Sequence, residues 1–150
     1  MTTYNIEHLL AEAKAVCERR GVRMTPTRSE VFRILSSREE AIGAYDLLEL
    51  LKPTVPNAKP PTIYRALDFL LEQGFVHKIT STNTYILCSH FDHQHTAHML
   101  ICVECDAVQE VHCNGVDKAM LEQAQKHDFK LHHQTVEAHG VCSSCRQHPK

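Results

Sequence analysis

The 150-residue sequence predicts an α+β fold in two parts, a winged helix-turn-helix followed by a small α/β unit. Three observations carry this expectation. Four segments with helical apolar spacing run in succession and lead at once into a short two-strand pattern. A polar, histidine-rich stretch then interrupts the texture. Beyond it lie two cysteine pairs of equal spacing, Cys102-Val103-Glu104-Cys105 and Cys142-Ser143-Ser144-Cys145.

The first helix is marked by Ile6, Leu9, Leu10, Ala13 and Val16, with Asn5 as its expected N-cap and Gly21 as its stop. Thr25-Pro26 opens a second, the cap residue followed by proline at the first helical position. Val31, Phe32, Ile34 and Leu35 form its apolar side. A third runs from about residue 44 to residue 52, and Pro53 ends it. A fourth opens at Lys59-Pro60-Pro61-Thr62 and closes at Gly74. Residues 75–80 and 84–88 then read as a hairpin around Ser81-Thr82-Asn83. The expected division is a winged-helix domain over 1–82, a hinge over 83–95 and a second domain over 96–150. Within the latter, residues 99–102 and 107–111 read as strands, 115–126 as a helix and 129–139 as a further strand.

A Cys-x-x-Cys step lets two thiolates converge on one metal ion, and two such steps complete a tetrahedral zinc site. Cys102, Cys105, Cys142 and Cys145 are therefore expected to hold a structural zinc. Thirty-six residues separate the pairs, so the intervening fold has to bring them together. The second domain is small for independent stability, and zinc together with dimerisation would supply the deficit.

Composition bounds the function. Seven cysteines, an odd count with four in knuckle spacing, fit a reducing cytoplasmic compartment better than a disulfide framework. No apolar run reaches the length of a membrane span, and the start carries no basic and apolar leader pattern. Net charge is −2, yet residues 19–38 hold six arginines against one acid, while residues 91–150 hold five Lys/Arg against eight Asp/Glu. That asymmetry suggests two jobs. Catalysis is not expected. The cysteine pairs lie on no thioredoxin-like βαβ pattern, and no His-Glu-x-x-His helix is present. A zinc store using the histidines would leave the helix-turn-helix and wing unexplained.

A helix that reads double-stranded DNA needs exposed side chains able to reach base edges in the major groove. On the fourth helix Arg65 suits guanine. Tyr64, with Tyr45 from the third helix, suits phosphates or thymine methyls. Thr62 near the helix start suits a phosphate, and Arg23, Arg28 and Lys78 extend the backbone footprint. A second group of possible metal ligands surrounds the hinge: His77, Cys88, His95 and Glu110. Two nitrogens, a thiolate and a carboxylate would make a charge-neutral tetrahedral zinc site, the thiolate favouring zinc over manganese and many iron centres. His90, His93, His98, His112, His132 and His133 compete for these roles.

Pro60-Pro61-Thr62-Ile63-Tyr64-Arg65-Ala66-Leu67, followed by Leu71-Glu72-Gln73-Gly74-Phe75-Val76-His77, resembles the signature of the ferric uptake regulator family. Thr25-Pro26-Thr27-Arg28 and the two cysteine pairs resemble further elements of it. Ala44-Tyr45-Asp46-Leu47-Leu48, Ala58-Lys59-Pro60-Pro61 and Glu137-Ala138-His139-Gly140-Val141-Cys142 place the similarity nearest its zinc-responsive branch. The resemblance covers nearly the whole chain. It implies a homodimeric repressor that binds operator DNA when zinc-loaded and shuts off zinc-uptake genes, with no membrane partner and no small-molecule substrate. It implies two zinc ions per chain, structural at Cys102, Cys105, Cys142 and Cys145 and regulatory at His77, Cys88, His95 and Glu110. DNA contacts would fall on Tyr45, Tyr64 and Arg65. Glu49 and Lys52 would join neighbouring dimers where two share one operator. The alternative is a sister regulator of the same family answering to iron or another divalent metal.

Overall fold

The computed structural model describes residues 3–88, 90–91, 96–132 and 134–149, with backbone alone for residues 3 and 4. The chain divides into two compact units, Met1–Gln94 and His95–Lys150.

The first unit begins with α1 (Thr3–Arg20) and α2 (Pro26–Ser36). Asn5 lies inside α1 rather than capping it. Gly21 ends α1 at a φ of +71°, a left-handed conformation that a glycine adopts without Cβ strain. The Thr25 side chain caps α2 by accepting from the Arg28 amide, with Pro26 in the first turn as expected. β1 (Ile42–Gly43) leads directly into α3 (Ala44–Leu51), and α4 (Pro60–Glu72) follows. Thr62 caps α4 by accepting from the Lys59 amide at 3.0 Å, and Gly74 ends it at a φ of +78°. The wing is β2 (Val76–Ile79) and β3 (Thr84–Leu87), antiparallel, with Lys78 opposite Tyr85 and His77 opposite Ile86. β1 adds a third strand on the other side of β3, giving the order β1-β3-β2.

One core unites this unit. Leu10 and Ala13 of α1, Val31, Phe32 and Leu35 of α2, and Leu47 and Leu51 of α3 are buried together. Ile63, Leu67 and Leu70 of α4 complete it from the reading helix. Phe32, Phe75 and Phe91 meet edge to face with centroids 5.2–6.1 Å apart, a geometry that aromatic quadrupoles favour. This core also takes in residues from the stretch that the sequence reading gives to the hinge. Tyr85, Cys88 and Phe91 are buried there, and the Cys88 amide donates to the Phe75 carbonyl at 2.8 Å.

The second unit contains β4 (His98–Cys102), β5 (Val108–Val111), α5 (Asn114–Lys126), β6 (Val136–Gly140) and α6 (Ser143–Gln147). The sheet order is β5-β4-β6. β4 pairs antiparallel with β5 and parallel with β6. The strand expected from residue 129 begins only at Val136. Asp128 has a φ of +52°, which turns the chain out of α5, and Phe129 is 64 % exposed. No helix among the described residues is long and apolar enough to cross a membrane.

Candidate metal centres and nucleic-acid surface

The parallel pairing of β4 with β6 closes the 36-residue gap between the cysteine pairs. Cys102 at the end of β4 lies in register with Gly140 at the end of β6. Parallel strands finish at the same edge of a sheet, so the turn after each strand meets the other. After β4 the chain reverses through Asp106, at a φ of +61°, whose amide donates to the Cys102 carbonyl. After β6, Cys142 precedes α6 and Cys145 lies in its first turn. The Val103 amide donates to the Gly140 carbonyl at 2.8 Å and locks the two turns together.

All four sulfurs lie within 4.8 Å of one another, and Cys105 Sγ is 3.8 Å from Cys142 Sγ. A tetrahedral zinc with Zn–S bonds of about 2.3 Å separates its sulfurs by about 3.8 Å, so this donor set fits zinc. The Cys142 amide donates to Cys102 Sγ at 3.4 Å. That bond, with further help from the Cys105 amide, brings the Cys102 thiol down to about 6, so it is a thiolate at neutral pH. The hydrogen bond to Cys142 and the other sulfurs push Cys145 up to about 12. Four thiols this close cannot all ionise without a cation between them, which inverts the local preference.

In the first unit, His77 projects from β2 and Cys88 follows β3, their ligand atoms within 4.8 Å. Cys88 is buried and accepts at Sγ from the His90 amide at 3.3 Å. Glu110 is half-buried on β5 of the second unit, opposite Met99. His95, expected as the fourth ligand, lies outside the described residues, as do the competing His93 and His133. The structure removes one competitor. His98 is buried with both ring nitrogens committed: Nδ1 accepts from the Cys113 amide at 3.2 Å, and Nε2 donates to Asp117 at 2.9 Å. Gln134 donates to the same carboxylate. His98 therefore organises the second unit's interior, and its spacing alone gave no sign of this.

The faces of α4 divide as its apolar spacing implies. Ile63, Ala66, Leu67, Phe69 and Leu70 face the core, while Tyr64, Arg65 and Asp68 are exposed. Tyr45, near the start of α3, is 74 % exposed. Thr62 accepts in the α4 cap, leaving its hydroxyl hydrogen able to donate outward. Arg23 is exposed. Arg28 instead turns inward, donating to the Arg23 carbonyl at 2.7 Å and stacking over Phe69 of α4 at 3.9 Å from the ring centroid.

Two further arginines have structural partners that sequence reasoning missed. Arg20 donates to the Gln73 carbonyl at the end of α4 at 2.6 Å. Arg33 bridges Glu7 of α1 and Glu30 of α2, and its hydrogen bond holds the Glu7 carboxyl below the usual carboxylate range. The arginine cluster thus divides between framing α4 (Arg20, Arg28), joining α1 to α2 (Arg33) and facing solvent (Arg23). Glu49 and Lys52 form an exposed pair at 2.7 Å.

A winged helix-turn-helix joined to a unit closed by a four-thiolate metal centre defines a class of metal-bearing regulators that read nucleic acid. The comparisons sharpen this. Residues 19–139 match the family model described as the ferric uptake regulator family, and the chain belongs to that family. It is 54 % identical over 140 residues to the Zinc uptake regulation protein of Escherichia coli (strain K12), covering 93 % of this chain and 82 % of that one. It is 32 % identical over 146 residues to the Peroxide-responsive repressor PerR of Staphylococcus epidermidis, covering 95 % and 94 %. A solved zinc uptake regulator complexed with zinc and DNA superposes with a TM-score of 0.93 at 53 % identity, covering 98 % of this chain and 97 % of that one.

Proposed function

We propose that this protein is a zinc-sensing transcriptional repressor that binds operator DNA as a homodimer when zinc-loaded and shuts off zinc-uptake genes in the cytoplasm. The observation that carries this reading is the 53 % identity and 0.93 TM-score to a zinc uptake regulator solved with zinc and DNA, over nearly the full length of both chains. The thiol of Cys88 beside His77 on the wing adds a chemical argument. A thiolate in the sensing set suits zinc and weighs against the iron or manganese reading of the same fold. No catalytic step belongs to this function, since four thiolates leave a structural zinc no open position.

Cys102, Cys105, Cys142 and Cys145 hold the structural ion, and His77, Cys88, His95 and Glu110 hold the regulatory one. Zinc held by these residues would neutralise the Cys88 thiolate and the Glu110 carboxylate. His77 and Cys88 belong to the unit that carries α4, while His95 and Glu110 belong to the other. Their joint engagement selects one arrangement of two reading helices, matched to two successive half-sites. A bias of about 3 kcal/mol suffices to move occupancy from minor to dominant. Arg65, Tyr64 and Tyr45 meet the operator, with Thr62 and Arg23 on its phosphates. Arg28 serves by holding Phe69, and hence α4, in place.

Capture of genomic DNA fragments by purified protein, across buffered zinc and buffered iron series, tests the reading. Enrichment of a palindromic site that switches on with zinc and not iron is expected. Enrichment driven by iron alone would move the chain to a sister regulator, and no specific capture in either series would move it to zinc handling.

A further inference from the structure

The exposed face of α4 carries two acids whose charge opposes the task, Asp68 and, at the helix's last residue, Glu72; Asp68 is the one nearer Tyr64 and Arg65. Tyr64 and the adjacent Arg65 each stand about one helical turn before Asp68 on the exposed side, opposite the buried Ile63, Ala66 and Leu67. Asp68 brings a carboxylate to a surface that has to enter a groove walled by phosphates. Among the described residues no ion pair or hydrogen bond engages that carboxylate, although Arg65 stands three residues back. Its surroundings place it beside the wing. Tyr85 of β3 is buried, its hydroxyl pushed up first by burial and then by the nearby Tyr64 and Asp68. Lys78, opposite Tyr85 on β2, lies 5.9 Å from that ring's centroid.

We propose that Asp68 is a specificity-determining residue, accepting a hydrogen bond from a cytosine N4 amino group in the major groove and rejecting sites that lack it. The proposal rests on the operator-binding reading above. A carboxylate is an acceptor only. Of the four major-groove patterns, cytosine offers an amino donor without a purine N7 acceptor beside it. Adenine pairs its amino donor with N7, and guanine offers N7 and O6, two acceptors that repel a carboxylate. Where no donor lies beneath it, Asp68 faces phosphates and acceptors alone and weakens the complex. A charge that lowers affinity everywhere except at a matching base gains discrimination through repulsion as well as attraction. Helix rise puts Asp68 about 4.5 Å further along α4 than Arg65. The cytosine should therefore fall within about two base pairs of the guanine that Arg65 reads.

Selection from randomised duplexes by full-length zinc-loaded protein, followed by sequencing, tests this with the wild type, Asp68→Asn, Asp68→Ala and Arg65→Ala. The wild-type motif should contain a cytosine within about two base pairs of the Arg65-dependent guanine. Both Asp68 variants should lose roughly tenfold in discrimination at that cytosine, keep the guanine, and bind random duplex more tightly than the wild type. A motif unchanged in both Asp68 variants overturns the proposal. So does loss of the guanine along with the cytosine, because Asp68 would then act through Arg65. A wild type that enriches no sequence overturns the repressor reading and this proposal together, whereas the other two outcomes leave that reading standing.

Discussion

The two units solve the problem of staying folded in different ways. The first buries a continuous core drawn from α1, α2, α3, α4 and the wing, with Phe32, Leu35, Leu47, Ile63, Leu67 and Phe75 nearly inaccessible to solvent. Among the described residues of the second, the buried apolar ones are Met99, Ile101, Cys102 and Ala124, and the buried His98 is polar. Meanwhile Leu100, Met120, Leu121 and Phe129 are between 46 % and 64 % exposed. A unit this poor in core cannot offset its chain entropy by burial alone. On the proposed reading, bound zinc and a second protomer would complete it. The physical lesson of the contrast is that the first unit carries its own core, and the second has to draw stability from what it would bind.

The largest expected effect breaks the second unit alone. Cys102→Ala, or zinc removal by a strong chelator, should unfold residues 95–150 and abolish the dimer. Structural zinc in small domains supplies roughly 10–16 kcal/mol of apparent binding free energy, which is folding free energy when the apo site is not preformed. Circular dichroism should lose the sheet and α5 while α1 to α4 persist, and analytical ultracentrifugation should report monomers. A folded, zinc-free dimer would contradict the structural assignment of the four cysteines.

The mirror experiment strikes the first unit. Phe32 touches both Phe75 and Phe91 edge to face and is fully buried. Phe32→Ala should cost about 3–5 kcal/mol, transfer and cavity terms together. Denaturant unfolding of the variant should show the helical transition moved sharply down, with one zinc retained at the cysteine centre. Loss of that zinc in the same step would mean that the two units unfold as one cooperative body, and the contrast between them would fall.

The elements that sequence reasoning recovered are those whose signals are local. Apolar spacing gave the four helices of the first unit, Thr25-Pro26 gave the α2 cap, and the turn residues gave the wing. Cysteine spacing gave the thiolate centre without showing how it closes. The parallel pairing of β4 with β6 is a choice of partner across 38 positions, and no local pattern encodes it. The alternation from Phe129 suggested a strand, yet Asp128 turns the chain and Phe129 faces outward, so only residues 136–140 pair. β1 is two residues long and α6 five, too short for periodicity to register. Charge also conceals role. Arg20, Arg28 and Arg33 look like their exposed neighbours in the sequence, and only partners 53, 5 and 26 positions away distinguish them.

An intermediate effect should separate sensing from folding. His95→Ala should keep the fold, the dimer and the cysteine-bound zinc, because the four thiolates and both sets of buried residues are untouched. It should lose zinc-dependent DNA binding by more than tenfold at buffered zinc, the bias of a few kcal/mol having been removed. Metal content per protomer should fall from two to one. Binding equal to wild type would transfer the fourth ligand to His93, since both His98 ring nitrogens are occupied within the second unit.

The smallest effect concerns a contact that adds little to either unit. Glu49 and Lys52 pair on the exposed side of α3 at 2.7 Å, and the Glu49 hydrogen bond raises the Lys52 ammonium pKa. Exposed pairs three residues apart contribute little to a helix because water screens them and side-chain freedom is lost. Lys52→Ala should therefore leave the melting temperature unchanged within about one degree, a surface change of a few tenths of a kcal/mol at most. If the pair opens to reach a neighbouring dimer on the same operator, the same variant should bind a single-dimer site as the wild type does. On a two-dimer site it should lose the steepness of the binding curve. Electrophoretic titration resolves the one-dimer and two-dimer complexes directly. Equal weakening at both sites would make Lys52 a phosphate contact of the reading unit. Unchanged curves at both would leave the pair a solvated feature of α3, and the exchange of an internal for an external partner would have no part in assembly.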